Sequence, residues 1–378
     1  MKGSMFSSSQ PTVFSFFAGS GFLDLGFEMS GFDISFVNEF HKPFLDAYTY
    51  SRQQMNLPAP KYGYHLGSID EYVNGDKKDE LKNYVIEAKS KSLVGFIGGP
   101  PCPDFSVAGK HKGSEGDNGR LTKVYVDAII NNQPDFFLFE NVKGLWRTTK
   151  HRKFYDEMKQ VLEDAGYVLT DRLTNCIEYG VPQDRDRILM FGILSKYVEN
   201  LSSNHLEANF NWKQEIIFDK EVVFDKNLWP TTNTFKEIAN SRQMLPKKLE
   251  AFKELTIQYW FEKNDVYKHP NAKYYFKPYS ERFQTVEEGD VSKKSFKRLH
   301  RFRYSPTAAY GNNEVHLHPY HSRRLSAAES LAIQSLPKDF HLPLTMTLSD
   351  MFKTIGNGVP YLAALGIAKT IRKYLGTL

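Results

Sequence analysis

The sequence predicts an α/β protein, a doubly wound sheet accompanied by a second, smaller and irregular domain. Three observations lead there. Through the first half, short apolar runs alternate with helical patterns. Near Ser195 that alternation stops, and residues 200–300 are rich in Asn, Lys and aromatic residues without a repeating unit. At 378 residues the chain also exceeds the roughly 100–200 residues of a usual single domain.

The strands are read in order from TVFSFF, ISFVNEF, LVGFIGG, DFFLFEN, YVLTDRL and ILMFGIL, each followed by an amphipathic or loop-like stretch. HRKFYDEMKQVLEDAGY is read as a helix with Phe154, Met158, Val161 and Leu162 on one face and Gly166 as its terminator. Helical periodicity returns in SAAESLAIQSLP and in PYLAALGIAKTIRKYL, where Leu362, Leu365, Ile367 and Ile371 fall mostly on one side.

Composition narrows the class of protein. Hydrophobic residues make up 41% and charged residues 25%, which is ordinary for a soluble globular chain. No run approaches the roughly 18 apolar residues of a membrane span, and MKGSMFSSSQ lacks a signal-peptide pattern. The only cysteines, Cys102 and Cys176, lie far apart, which argues against a disulfide framework and for a cytoplasmic location. The net charge of +5 leans mildly toward polyanionic partners. In KKSFKRLHRFR, Lys293, Lys294, Lys297, Arg298, Arg301 and Arg303 interleave with Phe296 and Phe302, a pattern that suits a solvated face or a polyanion surface.

Four motifs carry chemistry. FFAGSGFLDLGFE follows the first strand, and its Gly19 and Gly21 permit a tight turn with close backbone approach to a ligand. Asp24 stands where a dinucleotide fingerprint has its third glycine, while Glu39, ending the second strand, is spaced to bind ribose hydroxyls. An adenosine cofactor follows, with a nicotinamide dinucleotide and S-adenosylmethionine both open at this point. FIGGPPCPDFSVAGKHKG presents Cys102 in a proline clamp just past a strand's C-terminal end, where open α/β sheets bind ligands. A lone cysteine is more often inert and buried, as Cys176 is expected to be, but a thiolate at Cys102 could attack an electrophilic carbon. DFFLFENVKGL ends its apolar run in Glu140, either a loop carboxylate or a proton donor. YGVPQDRDRILMF carries Arg185 and Arg187, two apart and so on one face of an extended segment, able to serve one site or simply solvated. His316, His318 and His321 in HLHPYH lack convincing metal-ligand partners, and no metal is expected.

Taken in order, FFAGSG, VNEF, GGPPC with FSVAGKHKG, the pair Gly119 and Leu121, FENVKGL, YGVPQDRDRI, RRLSAAESLAIQSLP and IGNGVP resemble the cytosine-C5 DNA methyltransferases of bacterial restriction-modification systems. The resemblance implies a doubly wound mixed sheet of the Rossmann-like S-adenosylmethionine-dependent type. Residues 1–195 and 346–378 would form the catalytic domain, and 196–345 the target-recognition domain and hinge. It also implies the reaction. Cys102 would add to C6 of a flipped cytosine while Glu140 protonates or hydrogen-bonds N3. The enamine-like C5 would then take the methyl group, and loss of the C5 proton with elimination of Cys102 would restore the ring. Arg187 would hold the O2 edge, Arg185 would support the site, and Asn141 would brace the turn at Cys102.

On the cofactor side the resemblance assigns Phe17, Ala18, Gly19, Gly21, Phe22, Glu39, Phe40, Ile69, Pro100, Leu121 and Asn357. Ser68 stands where the family usually has an acid, so the adenine amino contact falls to Ser68, to Asp70 or to neither. Pro103 replaces a common glutamine. On the DNA side it assigns Ser106, Lys110 and Lys112 in the loop after the cysteine, and Lys297, Arg298, Arg301 and Arg303 in the basic cluster. The implied partners are double-stranded DNA, a cognate restriction endonuclease and no membrane, with the enzyme acting as a monomer and releasing S-adenosylhomocysteine. Of the alternatives, a tRNA methyltransferase of the same fold would carry a Cys-Phe-Thr signature absent here, and a nicotinamide-dependent dehydrogenase leaves the other blocks unexplained. A catalytically dead DNA-binding relative is opposed by the intact set of Cys102, Glu140 and Arg187.

Overall fold

The computed structural model describes residues 10–101, 117–198, 203–238, 243–308, 310 and 315–378. Seven strands form one sheet in the order β3-β2-β1-β4-β5-β7-β6. They are β1 (Thr12–Phe16), β2 (Asp33–Glu39), β3 (Tyr64–Leu66), β4 (Val94–Gly98), β5 (Phe136–Val142), β6 (Tyr167–Asn175) and β7 (Asp186–Leu194). β1 to β5 pair in parallel, whereas β7 runs antiparallel to both β5 and β6, so the sheet is mixed. The six apolar runs of the sequence are all strands; β3, whose Tyr-His-Leu is half-exposed, carries no such signature.

Alternation along the strands feeds a core on each face. Val13, Ile97, Leu138, Leu189 and Phe191 point into one, with Ile367 and Ile371 from the C-terminal helix Tyr361–Leu375. Phe14, Phe16, Phe36, Phe96, Phe137 and Phe139 fill the other. The C-terminal helix returns to the start of the chain and packs on α1 (Phe22–Glu28); a Cβ on Gly26 would lie 2.5 Å from the Ala364 carbonyl carbon. α2 (Lys42–Gln54) follows β2, α3 (Asp70–Val73) and α4 (Lys78–Lys89) follow β3, and α5 (Asp117–Asn132) follows β4. α6 (Gly144–Arg147) and α7 (Thr149–Asp164) join β5 to β6. In α7 the buried stripe is Phe154, Tyr155, Met158 and Leu162, while Val161 is 40% exposed, contrary to the expected face. It falls just beyond the edge of the stripe, on the side away from Tyr155. The chain leaves the helix through Gly166, at φ +91°.

Beyond Leu194 no described residue adds a strand to this sheet. Short helices there surround small cores of their own, one holding Trp260, Phe261 and Leu299, another Trp229, Leu249 and Phe302. A two-stranded parallel pair, Lys297–Arg298 with His316–Leu317, is the local sheet. Among the described residues no helix is long and apolar enough to cross a membrane.

The sheet order reverses between β1 and β4, and that reversal positions the site. β1 connects outward to β2, β4 to β5, so the C-terminal ends of β1 and β4 leave a crevice between the loops that diverge from them. Both glycine-containing motifs, at residues 17–21 and 98–101, lie there.

Candidate active site

The first wall is the turn after β1. Phe17, Gly19 and Gly21 have φ of +53°, +57° and +78°, and Gly21 is the left-handed N-cap of α1. At Gly21 a Cβ would lie 2.5 Å from the Tyr48 ring, so glycine is demanded by packing as well as by conformation. At Gly19 a Cβ would meet nothing within 4 Å; the backbone there opens on free space. Glu39 ends β2 beside it, its carboxylate accepting the N–H groups of Gly19 at 2.7 Å and His41 at 2.8 Å. The neighbouring Phe40 ring is 74% exposed.

Beneath the turn, Asp24 accepts hydrogen bonds from Ser15 and Tyr48, each at 2.9 Å. Arg52 donates to the Gly21 carbonyl at 2.7 Å and pairs with Glu28 at 2.8 Å. Burial pushes the Asp24 carboxyl up to about 6, against the opposing pull of Arg52. Asp24 is therefore a support of the turn, shielded from any ligand.

The second wall is built by β5 and β7. Glu140 and Arg187 form an ion pair at 2.6 Å with side chains only 11% and 10% exposed. A Cβ on Gly99 would lie 2.5 Å from Glu140 Oε2, which places this carboxylate directly against the segment that runs through Pro101 into Cys102. Asn141 Nδ2 donates to the Pro100 carbonyl at 3.5 Å. Lys143 pairs with Asp186, and Asn175 Nδ2 donates to Asp184 at 2.7 Å and Asp186 at 3.0 Å, so the segment before β7 is held on both sides.

Arg185, just before β7, and Arg187, within it, take different partners. The buried Arg185 guanidinium donates to the carbonyls of Ala308 (3.0 Å), Gly356 (2.8 Å) and Asn357 (3.4 Å). Burial, aided by Arg187, lowers Arg185 to about 9. Cys176 lies in the core, its thiol pushed up to about 12 by burial, which leaves it unreactive.

The remaining cofactor-side residues divide. Ala18 is half-buried, Pro100 is buried, Leu121 is half-buried against the core beside Phe17, and Asn357 is exposed at a helix end. The side chains of Phe22 and Ile69 are buried in the core, Phe22 against Phe340 at 5.2 Å and against Gly358. Ser68 Oγ donates to Asp70 at 2.9 Å, and Arg120, which no sequence pattern singled out, pairs with Asp70 at 2.8 Å. The carboxylate of Asp70 is thus already engaged from two sides.

Cys102, Pro103, Ser106, Lys110 and Lys112 lie outside the described residues. The basic cluster is described, and it splits. Arg298 is fully buried and donates to the carbonyls of Val286, Phe283, His318 and His321. Arg301 is buried in a bidentate pair with Glu288, both contacts at 2.7 Å. Neither can meet a phosphate, which corrects the DNA role expected of both. Lys293 and Lys294 are exposed, Lys297 and Arg303 half-buried. His318 lies in the core near Glu329, with its ring 4.3 Å from that of His321. Among the described residues no group of three or more His, Cys, Asp or Glu is arranged to hold a metal.

A family profile described as C-5 cytosine-specific DNA methylase matches residues 12–373. Type II methyltransferase M.NmeDI of Neisseria meningitidis serogroup C is 58% identical over 366 residues, covering 96% of this chain and 84% of that protein. Type II methyltransferase M.FnuDI of Fusobacterium nucleatum is 27% identical over 364 residues, covering 96% and 94%. Among solved structures, the fold is similar to the S. pombe Dnmt2 methyltransferase, with a TM-score of 0.59 at 12% identity, covering 98% of this chain and 99% of that one. A crevice at the sheet reversal, walled by the glycine turn and by the Glu140–Arg187 pair, thus sits in a chain that belongs to the C-5 cytosine-specific DNA methylase family.

Proposed function

We propose that this chain transfers a methyl group from S-adenosylmethionine to C5 of a flipped cytosine within a specific duplex DNA sequence, as the modification half of a type II restriction-modification system. The observation that supports it most is the Glu140–Arg187 pair set against Gly99, three residues before Cys102. An acid, a guanidinium and a thiol then converge on one pyrimidine ring.

The residues present fit the donor. Gly19 offers an open backbone face, Glu39 a carboxylate fixed by two N–H groups with lone pairs to spare for ribose hydroxyls, and Phe40 an uncovered ring for adenine. Phe17, Ala18, Gly21, Pro100, Leu121 and Asn357 would line the rest, with Ser68 at the adenine edge. Bound there, S-adenosylmethionine supplies an electrophilic methyl group on a sulfonium.

The chain's own residues do the remainder. The target base must leave the stack, since its ring faces are inaccessible inside the duplex. Cys102, as thiolate, forms a bond to C6 while Glu140 delivers a proton or hydrogen bond to N3, so the ring's electron pair gathers at C5. Arg187, already paired with Glu140, is within reach to hold O2 and orient the carboxyl. After methylation a base or water takes the C5 proton, its bonding pair re-forms the C5–C6 double bond, and the carbon–sulfur pair leaves with Cys102 as thiolate. Asn141 and Arg185 position this machinery through Pro100 and the Gly356–Asn357 carbonyls.

In this reading residues 1–195 and 346–378 are the catalytic domain, and 196–345 the target-recognition domain and hinge, with Lys293, Lys294, Lys297 and Arg303 toward DNA. Ser106, Lys110 and Lys112 would contact the duplex. The enzyme acts as a cytoplasmic monomer alongside a cognate endonuclease.

Bisulfite sequencing of plasmid DNA from cells expressing the chain tests this. Protected cytosines in one recurring sequence are expected with the native chain and none with Cys102→Ser. A DNA substrate carrying 5-fluorocytosine should trap a covalent adduct on the native enzyme; active enzyme without an adduct would defeat the thiol mechanism.

A further inference from the structure

The helix Leu348–Asn357 carries two polar contacts, one to the donor turn and one to the loop after Glu39, that the mechanism above does not use. Ser20, between Gly19 and Gly21, shares a buried hydrogen bond with Thr354 at 2.7 Å, across 334 residues of sequence. His41, whose N–H holds Glu39, places its ring Nε2 3.0 Å from Asp350. Asp350 is itself fixed by Thr347, whose hydroxyl donates to it at 2.8 Å. Thr354 and Asp350 are one turn apart, so both contacts leave the same helix face. At its far end the helix offers the Gly356 and Asn357 carbonyls to Arg185, and Gln334 donates to Ile355.

One helix therefore touches the turn that carries Gly19, the loop that carries Glu39 and the arginine that precedes β7. Apolar packing alone does not demand the two hydroxyls. Phe22, Leu25, Met351 and Ile355 already bury one cluster between these elements, and Gly358 lets Phe22 approach closely. Hydrogen bonds are directional where apolar contact is not, so the Ser20–Thr354 and His41–Asp350 pairs fix how far the helix stands from the turn.

We propose that Thr354 and Asp350 are positioning residues that set the width of the methyl-donor pocket, Thr354 by pinning the Gly19–Gly21 turn through Ser20 and Asp350 by pinning the Glu39 loop through His41. This role rests on the assignment of S-adenosylmethionine to that pocket. Neither residue needs to touch the donor.

The test is calorimetric titration of the full-length enzyme with S-adenosylhomocysteine, with steady-state methyl transfer to duplex DNA in parallel. Thr354→Val keeps the shape and removes the hydroxyl; it should weaken binding and raise the donor KM five- to twentyfold, with kcat at saturating donor within twofold of the native value. Thr354→Ser should restore both constants to within twofold. Asp350→Asn, at a half-exposed position, should raise the donor KM two- to fivefold by itself, and its titration decides if Thr354→Val does not fold. Folded Thr354→Val or Asp350→Asn enzyme that binds within twofold of the native value would overturn the proposal. So would a loss of kcat at unchanged donor KM. Failure of the native enzyme to bind S-adenosylhomocysteine would instead overturn the donor assignment, and the positioning role with it.

Discussion

At the scale of single residues, the site depends on what glycine leaves out. A methyl group at Gly99 would stand 2.5 Å from Glu140 Oε2, closer than any real side-chain contact, and the carboxylate would have to turn away from it. Gly99→Ala is therefore expected to lower kcat by at least tenfold, a larger effect than on S-adenosylhomocysteine binding, because it is Glu140 that the new methyl group meets. Steady-state kinetics beside calorimetry would show it; an unchanged kcat would mean that Glu140 is not held where the reaction needs it. The motif around Glu140 was legible in the sequence, since an acid ending an apolar strand stands out. Its partner was only half legible. Arg187 was expected to share a face with Arg185, two positions earlier, whereas its ion pair with Glu140 on the neighbouring strand has no signal in the sequence. Arg298 and Arg301 misled for a related reason: a run of cations looks the same whether its members face water or, like Arg301, a buried Glu288 thirteen residues away.

At the scale of elements, the turn after β1 rests on a buried polar group. Asp24 has its proton affinity raised by burial, to about 6, from an ordinary 3.8. Between those values the folded chain keeps a proton that the unfolded chain has released. Unfolding free energy must then fall as pH rises from about 4 to about 6, by on the order of 3 kcal/mol if the full shift is realised, and stay level above. Asp24→Asn abolishes this dependence, so the variant's stability relative to the native chain should increase from pH 4 to pH 7. Urea unfolding at several pH values checks it, and a constant difference across that window would show that Asp24 does not titrate there. The two glycines of this turn could be read from sequence. The network under it could not, because Asp24, Tyr48 and Arg52 meet only after β2 and α2 fold back on α1. Six strands were legible as apolar runs, even the edge strand β6, whose middle carries Asp171 and Arg172; β3, three residues at the opposite edge, has no such run.

At the scale of the whole molecule, the sheet reversal explains why distant motifs share one crevice, and the alternation of apolar runs was enough to anticipate it. The region beyond Leu194 was legible only as an absence of that alternation, since its small cores rest on scattered aromatic residues and its order on buried ion pairs. That distinction separates two kinds of basic residue in the proposed interaction of this region with DNA. Lys293 and Lys294 are solvent-facing, and each phosphate they neutralise releases counterions, so the double substitution Lys293→Ala with Lys294→Ala should weaken duplex binding and flatten the plot of log affinity against log salt by up to about 2 in slope. Melting should be unchanged. Arg301→Ala leaves Glu288 buried without its bidentate partner and should cost about 3–5 kcal/mol of stability, read as a lowered melting temperature. The salt slope for the fraction that remains folded should not move, because a guanidinium locked in the interior neutralises no phosphate. Fluorescence anisotropy on a labelled duplex from 50 to 200 mM salt, beside thermal melting, separates the two, and a flattened slope for Arg301→Ala would mean that the buried pair opens when DNA binds.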